Sequence, residues 1–172
     1  SVKTGDLGYA MHVKGLELPA YLPETNPGYP WAIAGGHMTM GTFMSLVMEG
    51  DTSMDYWVKA ITQKGLLQVR DDLLGTCKFA GMGQKMAIAA VQVEGGLDIP
   101  LEELLAAVRR AYLRGLAIER KQGYQHAEYT LPAEAFDNPN PNVKTPAFLT
   151  REFFAELQQK VWEVFEPEMA TL

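Results

Sequence analysis

Six consecutive residues, Asp72-Leu73-Leu74-Gly75-Thr76-Cys77, combine an acidic side chain, a turn-forming glycine and the only cysteine of the chain. A thiolate is a soft ligand for zinc and for iron-sulfur clusters, and it is also the reactive form of cysteine in nucleophilic catalysis. An ionised Asp72 accepts paired hydrogen bonds from the N–H donors of a ligand. Gly75 permits a backbone turn that other residues resist. The alternative is that Cys77 is a small buried hydrophobe.

His37 is the second candidate for chemistry. It lies in a stretch, residues 25–48, that contains no Asp, Glu, Lys or Arg. An imidazole there can take up or release a proton near neutral pH, and the alternative is a buried structural histidine. His12 and His126 are predicted to be structural or exposed. The methionines whose spacing favours core packing over a soft-metal site are Met38, Met40, Met44, Met48 and Met54.

The composition fits a single globular domain over residues 1–172. Hydrophobic residues make up 47% of the chain, and 15 basic against 21 acidic side chains give a net charge of -6. Without a basic stripe to neutralise phosphates, nucleic acid is not an expected partner. A single cysteine forms no internal disulfide, which favours a reducing, cytoplasmic compartment. Residues 25–48 contain prolines and paired glycines, so no membrane span is expected.

Two helices are predicted to flank the candidate loop. Apolar residues recur at near-helical spacing over residues 51–72, and Gly75 ends this helix. A second apolar stretch, residues 82–93, ends at a glycine pair. The carboxylates of Asp71 and Asp72 meet the negative end of the helix dipole, and such a local conflict is typical of a functional loop.

The rest of the chain is also predicted to be mainly helical. A long helix is expected to follow Asp98 as its cap, with Pro100 in the first turn. Its polar face is predicted to carry Arg109, Arg110, Arg114 and Glu119. Residues 124–145 are rich in proline and asparagine and are predicted to form an extended surface loop.

A last helix is expected to follow Thr150 as its cap and to face inward with Phe153, Phe154, Leu157, Val161, Trp162 and Phe165. Near the start of the chain, residues 8–19 are predicted to form a helix end followed by a turn. No alternating strand of useful length is present in the sequence. The predicted class is therefore all-α, an irregular multihelical domain.

The loop of residues 72–77 resembles the Asp-x-x-Gly-x-Cys loop of the aldehyde:ferredoxin oxidoreductase family. Other blocks resemble the family in the same order along the chain. Residues 10–21 resemble its Val-Lys-Gly-x-Glu-x-Pro-Ala-Tyr segment. Residues 120–124 and 131–132 resemble a segment near its C-terminal end. The resemblance therefore spans almost the whole chain.

This resemblance implies roles for the loop residues. In the family the aspartate holds a metal-binding pterin, and the cysteine ligates a four-iron four-sulfur cluster, so Cys77 is the expected cluster ligand here. The residues expected to bind the pterin are Asp72, Leu73, Gly75 and Thr76. His37 matches, by its order in the sequence, a family histidine beside the metal, and it is the expected catalytic acid or base.

The resemblance also implies that the chain is the C-terminal part of a longer oxidoreductase. In such an enzyme, tungsten or molybdenum bound by two pterins oxidises an aldehyde to a carboxylic acid, and the cluster passes electrons to ferredoxin. The expected partners are upstream domains of the same enzyme, or a separate subunit, together with ferredoxin and an aldehyde. Because a cluster needs four ligands and this chain has one cysteine, the isolated chain is expected to be inactive and to carry no cofactor.

Two departures from the family pattern leave alternatives open. Residues 22–24 are Leu-Pro-Glu where the family has Asp-Pro-Arg, and residues 34–36 precede His37 with Ala-Gly-Gly where it has Arg-Gly. One alternative is a homologous reductase of a non-aldehyde substrate, such as an aromatic thioester. The other is a helical scaffold or binding domain that kept the fold without the cofactor, with Cys77 as an inert thiol.

Overall fold

The computed structural model describes residues 12–17, 27–33, 53–77, 80–137 and 149–172. Within these ranges the fold is helical apart from two very short strands, which confirms the predicted all-α class. The elements in chain order are β1 (His12–Val13), β2 (Leu16–Glu17), a 3-10 helix (Tyr29–Trp31), α1 (Met54–Lys59), a π-helix (Ala60–Lys64), α2 (Leu66–Leu73), α3 (Gln84–Val93), α4 (Leu101–Lys121), a 3-10 helix (His126–Glu128), α5 (Glu134–Asp137) and α6 (Arg151–Met169). No helix among the described residues is long and apolar enough to cross a membrane.

Residues 12–17 form an antiparallel hairpin, so the predicted helix end is wrong. Val13 pairs with Leu16 across the hairpin. The two-residue turn between them has Lys14 at φ 52° and Gly15 at φ 79°, the positive angles that a tight hairpin turn requires. The predicted turn is present, but extended residues flank it on both sides.

The single helix predicted from residue 51 is divided into α1 and α2 by the π-helix. Ser53 caps its start by accepting a hydrogen bond from Tyr56 N at 3.3 Å, so the helix begins at the next residue. The backbone then widens into the π-helix, in which Gly65 N donates to Ala60 O at 2.8 Å. The apolar spacing of the sequence does not reveal this change in hydrogen-bond register, because the same side of the chain remains buried.

Arg109 of α4 holds the π-helix in place. Its Nη1 donates to Thr62 O at 2.7 Å, and its Nε donates to Glu168 Oε2 of α6 at 2.6 Å. A π-helix leaves carbonyl groups outside the ordinary α-helical pattern. One guanidinium therefore joins the π-helix, α4 and α6 at a single point.

The helix starts predicted for α3 and α4 need correction. α3 starts at Gln84, two residues after the predicted start, and ends as predicted before a glycine pair in which Gly96 has φ 65°. α4 begins after Pro100, whose carbonyl accepts hydrogen bonds from the amides three and four residues later. Asp98 is therefore not the cap, because the extended Pro100 takes that position without a side-chain hydrogen bond.

Residues 124–137 pack onto the core, which corrects the extended surface loop predicted for residues 124–145. Tyr129 and Leu131 are buried, and a 3-10 helix and α5 lie on either side of them. Proline and asparagine end regular helices, but short turns between them can still direct apolar side chains inward. Residues 138–145 lie outside the described residues.

α6 begins as predicted, because the hydroxyl of Thr150 accepts a hydrogen bond from Phe153 N at 3.2 Å. It contacts α1, the π-helix and α4, while α2 and α3 also contact α4. The large buried side chains between these helices include Trp31, Trp57, Tyr112, Leu116, Leu157, Val161 and Phe165. Burial of each such side chain stabilises the fold by about 1.5–3 kcal/mol. Because α2 packs against α4, the end of α2, where the candidate loop begins, is held in place.

Candidate functional site

The backbone of the candidate loop is fixed by its own hydrogen bonds. Gly75 has φ 66° and its amide donates to Asp72 O at 3.1 Å, while the amide of Thr76 donates to Asp71 O at 2.9 Å. This pair of bonds is the Schellman arrangement that ends many helices, and it needs a left-handed residue at the position of Gly75. The Thr76 hydroxyl also donates to Asp71 O, at 3.1 Å. The turn that leads from α2 to Cys77 is therefore well defined.

The two adjacent aspartates have different surroundings. Asp71 is buried against Arg70, whose Nε donates to Asp71 Oδ1 at 2.8 Å. The same guanidinium donates from Nη2 to Met82 O at 2.6 Å. Arg70, itself only 3% exposed, thus ties the end of α2 to the residues just before α3. Its positive charge offsets the unfavourable position of the Asp71 carboxylate at the end of α2, whereas Asp72 is exposed.

Cys77 is exposed and has a free thiol. Its carbonyl accepts a hydrogen bond from Ala80 N at 2.9 Å. Leu73 is also exposed, although it is a large apolar residue. The structure therefore brings Asp72, Leu73 and Cys77 to the surface of one short turn. The interpretation of the cysteine as a buried packing residue does not fit this position.

The loop does not contain a complete metal site. Among the described residues, no group of three or more His, Cys, Asp and Glu side chains could hold a metal ion. A four-iron cluster needs four ligands, and an exposed Cys77 is suited to contribute one of them. The predicted catalytic residue His37 lies outside the described residues.

A buried polar cluster joins the turn between β1 and β2, α4 and the segment after α4. Lys14 Nζ lies 3.0 and 2.9 Å from the two carboxylate oxygens of Glu119, and it donates to Ala32 O at 2.7 Å. Tyr129 donates from its hydroxyl to Glu119 Oε2 at 2.8 Å. The Lys14 ammonium also lies 4.5 Å from the centre of the Tyr129 ring. All of these side chains are buried, so the cluster forms part of the core.

Burial dominates the electrostatics of this cluster. It lowers the pKa of Lys14 from its ordinary value, while the hydrogen bond and the charge of Glu119 oppose that shift. It also raises the pKa of Tyr129, and the hydrogen bond to Glu119 raises it further. Burial and Glu119 therefore act in opposite directions on the pKa of Lys14 and in the same direction on the pKa of Tyr129.

The placement of Glu119 contradicts the sequence analysis, which put it on the polar face of α4 with three arginines. Glu119 follows the buried Leu116 by three residues and the buried Tyr112 by seven, which is the spacing of the apolar face. That spacing is the signal that could have revealed it.

The other two histidines fit the prediction: His12 Nδ1 accepts a hydrogen bond from Gly15 N at 3.1 Å, and His126 stacks on a buried aromatic ring.

Two cavities lie elsewhere on the described surface. One of about 540 Å³ is lined by Lys14, Ile33, Gly115, Glu119 and Tyr124, among others. The second, of about 420 Å³, lies between the π-helix, α2 and α4. Neither of the two is lined by the loop residues that bear the thiol and the exposed carboxylate. They therefore do not provide a substrate space at the candidate site.

The described fold is thus a helical one that presents the thiol of Cys77 and the carboxylate of Asp72 close together in the sequence and at its surface. The chain belongs to the aldehyde ferredoxin oxidoreductase family, because the family model described as "Aldehyde ferredoxin oxidoreductase, domains 2 & 3" matches residues 1–166. The resemblance found in the sequence is thus confirmed. A comparison with curated proteins gives no match. The domain numbers imply that enzymes of this family have an upstream domain as well.

Proposed function

We propose that this chain is the C-terminal part of an enzyme that oxidises aldehydes to carboxylic acids and passes the electrons to ferredoxin. The family match supports an oxidoreductase of this type. The observation that carries the proposal is the position of Cys77, which is exposed at the end of a rigid turn five residues after an exposed Asp72. That residues 1–172 form a single domain, and that the protein is cytoplasmic, remain predictions.

The loop residues have distinct proposed roles. The thiolate of Cys77 is one ligand of a four-iron four-sulfur cluster, and the carboxylate of Asp72 accepts hydrogen bonds from the amino groups of a pterin. Leu73 covers the pterin with its exposed side chain, and Gly75 gives the turn its shape. Thr76 already donates its amide and hydroxyl protons to Asp71 O, so its role is to hold the loop in this conformation.

The bound tungsten or molybdenum and the cluster supply the redox chemistry when they are present. This chain contributes ligands to these cofactors, orients the cofactors and shields them from water. His37, by its order in the sequence, is the proposed proton donor or acceptor for the substrate. The upstream domain, or a separate subunit, contributes the other three cysteines, and ferredoxin is the proposed electron acceptor.

The test compares Cys77→Ala with Asp72→Asn in the full-length enzyme. Cys77→Ala is expected to deplete iron and change the electron paramagnetic resonance signal of the cluster, because it removes a ligand. Asp72→Asn is expected to lower pterin content while iron remains, since an amide replaces a charged acceptor. Asp98→Asn, which alters another exposed carboxylate, is the matched control and should change neither. If both loop variants keep full iron and pterin, the loop does not bind the cofactors and its proposed roles are wrong. If the unmodified full-length protein carries neither iron nor pterin, the cofactor-free scaffold replaces this proposal.

The substrate and the role of His37 need a separate measurement. His37→Ala is expected to lower turnover by about a hundred- to ten-thousand-fold with metal and pterin content unchanged, which is the usual loss of a general acid or base. Assays with an aldehyde and with an aromatic thioester show whether the enzyme oxidises the aldehyde or reduces the thioester. Turnover of the thioester alone would favour the homologous reductase.

A further inference from the structure

Residues 27–33, which we call the anchored segment, lie against the core although they contain only one short 3-10 turn. All but the last of them are buried. Within the turn, Ala32 N donates a hydrogen bond to Tyr29 O at 3.1 Å. Hydrogen bonds of a 3-10 turn have poorer geometry than those of an α-helix. Contacts from other elements are therefore needed to fix the position of the segment.

Two buried side chains from distant parts of the chain donate to consecutive carbonyl groups of the anchored segment. The Tyr112 hydroxyl of α4 donates to Trp31 O at 2.6 Å, and Lys14 Nζ of the hairpin turn donates to Ala32 O at 2.7 Å. Burial raises the pKa of Tyr112 well above its ordinary value, and the charge of Glu119 raises it further. The Tyr112 hydroxyl therefore keeps its proton and remains a donor.

The third contact comes from a residue without a side chain. Gly115 lies one turn after Tyr112 on the same face of α4. A Cβ added to Gly115 would lie 3.1 Å from Cδ1 and 3.2 Å from Cγ1 of Ile33. Glycine inside a helix is less stable than alanine, and the close approach of Ile33 gives a physical reason for it here. The anchored segment is thus held at three consecutive residues.

We propose that Tyr112, Lys14 and Gly115 are positioning residues for His37, because they fix the point from which the chain leads to it. His37 follows Ile33 by four residues, so its Cα lies within about 14 Å of the anchored end. This inference rests on the proposed function, in which the His37 imidazole exchanges a proton with the substrate.

The rate of proton transfer depends strongly on placement. An acid or base must lie within hydrogen-bond reach of the reacting atom, and a displacement of about 1 Å can lower turnover about a hundred-fold. None of the three positioning residues belongs to the loop that bears Cys77. Their substitution should therefore lower turnover without a loss of iron or pterin.

Tyr112→Phe in the full-length enzyme tests the first anchor, since it removes the hydroxyl and leaves the ring. It is expected to lower kcat about ten- to a hundred-fold, for benzaldehyde or for an aromatic thioester, with KM, iron and pterin unchanged. Gln158→Met is the matched control, because Gln158 Nε2 donates to His126 O and Tyr129 O at 2.8 Å each and so anchors a different segment. Its kcat should stay the same. Unchanged kcat in Tyr112→Phe, or equal losses in both variants, would overturn the proposal.

A double variant shows whether Tyr112 acts through His37. In the His37→Ala background the imidazole is absent, so Tyr112→Phe is expected to cause no further loss of kcat. If the two losses multiply, Tyr112 affects the reaction by another route and its assignment is wrong. If His37→Ala alone keeps full turnover, or the enzyme turns over neither substrate, the proposed function fails and this assignment fails with it.

Hydrogen exchange, followed by mass spectrometry, tests the anchor without turnover. In Tyr112→Phe enzyme, peptides that cover residues 27–33 should exchange about two- to ten-fold faster, while peptides that cover residues 125–131 should not change. Gln158→Met enzyme should show the reverse pattern. If exchange over residues 27–33 is the same in Tyr112→Phe as in unmodified enzyme, the hydroxyl does not hold the segment and the proposal is wrong.

Gly115→Ala separates placement from helix stability. Alanine favours a helix more than glycine does, whereas its Cβ would press on Ile33. We expect kcat to fall about three- to ten-fold and to recover in part when Ile33→Val removes the methyl group nearest to the added carbon. A kcat that Gly115→Ala leaves unchanged, or a loss that Ile33→Val does not reduce, would exclude Gly115 from the positioning residues.

Discussion

Two regions of this protein bring charged or reactive side chains together, and they use them in opposite ways. In the first, Lys14, Glu119 and Tyr129 lie inside the core and bond one another. In the second, Asp72 and Cys77 lie at the surface of the turn between α2 and α3. Buried polar groups must be paired to be tolerated. The first region is therefore part of what holds the fold together.

In the second region, the conformation of the turn is held by its backbone and by two neighbouring side chains. There the backbone amides of Gly75 and Thr76 and the side chains of Arg70 and Asp71 maintain the conformation. The carboxylate of Asp72 and the thiol of Cys77 are exposed to solvent. A turn of this kind presents reactive side chains in a fixed direction, so substitutions there should affect the cofactor more than the stability.

The largest effect is expected from Glu119→Ala, which leaves the Lys14 ammonium buried without its carboxylate. Breaking a buried ion pair in this way is expected to lower the free energy of unfolding by about 3–5 kcal/mol, measured by chemical denaturation of the chain. Glu156→Ala, which removes an exposed carboxylate of α6, is the control and should have little effect. Replacing both partners, with Lys14→Met and Glu119→Leu, should restore part of the loss. If Glu119→Ala lowers the free energy of unfolding only slightly, the buried cluster does not stabilise the fold, and the contrast with the loop region fails.

Arg70→Leu tests the side chain that supports the loop. It leaves the buried Asp71 carboxylate and Met82 O without the guanidinium, and we expect a loss of about 2–3 kcal/mol in the free energy of unfolding. Amide hydrogen exchange of Thr76, whose proton is bonded to Asp71 O, should become faster. Arg110→Leu, at an exposed position of α4, is the control. Unchanged exchange at Thr76 would show that the loop keeps its conformation without the Arg70 contacts.

Gly75→Ala tests the turn itself. Gly75 has φ 66°, and a Cβ added there would meet nothing within 4 Å, so the cost is conformational alone. We expect a loss of about 1–2 kcal/mol in the free energy of unfolding. Gly75→Asn should cost less than Gly75→Ala, because asparagine tolerates the left-handed conformation better. Equal losses for the two variants would indicate that backbone strain is not the cause.

The smallest effect on stability is expected from Cys77→Ala. The thiol is exposed, so the free energy of unfolding of the chain should change by less than about 1 kcal/mol, although the cluster of the full-length enzyme is expected to be lost. Cys77→Ser is the isosteric comparison. If Cys77→Ala destabilises the chain as much as Glu119→Ala does, the cysteine is a packing residue and the contrast between the two regions fails.

The sequence predicts most of the helices correctly because they bury one regular apolar face. The faces that include Tyr112 and Leu116 of α4 and Trp162 of α6 are buried as their spacing indicates. The Asp-x-x-Gly-x-Cys pattern likewise predicts a turn, and Gly75 adopts the left-handed conformation that it needs. Such features depend on residues that are close together in the chain.

The features that the sequence does not reveal depend on which side chains pair with one another. Glu119 is buried because Lys14, 105 residues away, reaches it from the hairpin turn. Asp71 is tolerated at a helix end because Arg70 can turn back toward it while also reaching Met82 O. Tyr129 lies in a segment with the composition of a surface loop, yet it is buried, donates a hydrogen bond to Glu119 and packs edge-on against Trp162. The spacing of Glu119 places it on the apolar face of α4, but it does not identify Lys14 or Tyr129 as the partners of its carboxylate.

The π-helix has a consequence for the direction in which the loop points. An α-helix turns by about 100° per residue, and a π-helix accommodates an added residue within that rotation. If Ala60–Lys64 adopted α-helical hydrogen bonding without the loss of a residue, α2 would turn by about 100° about its axis relative to Trp57, whereas deletion of one residue would leave its direction nearly unchanged. In the first case Asp72 and Cys77 would project toward a different side of the molecule. The π-helix therefore sets the direction of the thiol, and the hydrogen bond from Arg109 Nη1 to Thr62 O holds the π-helix in that form.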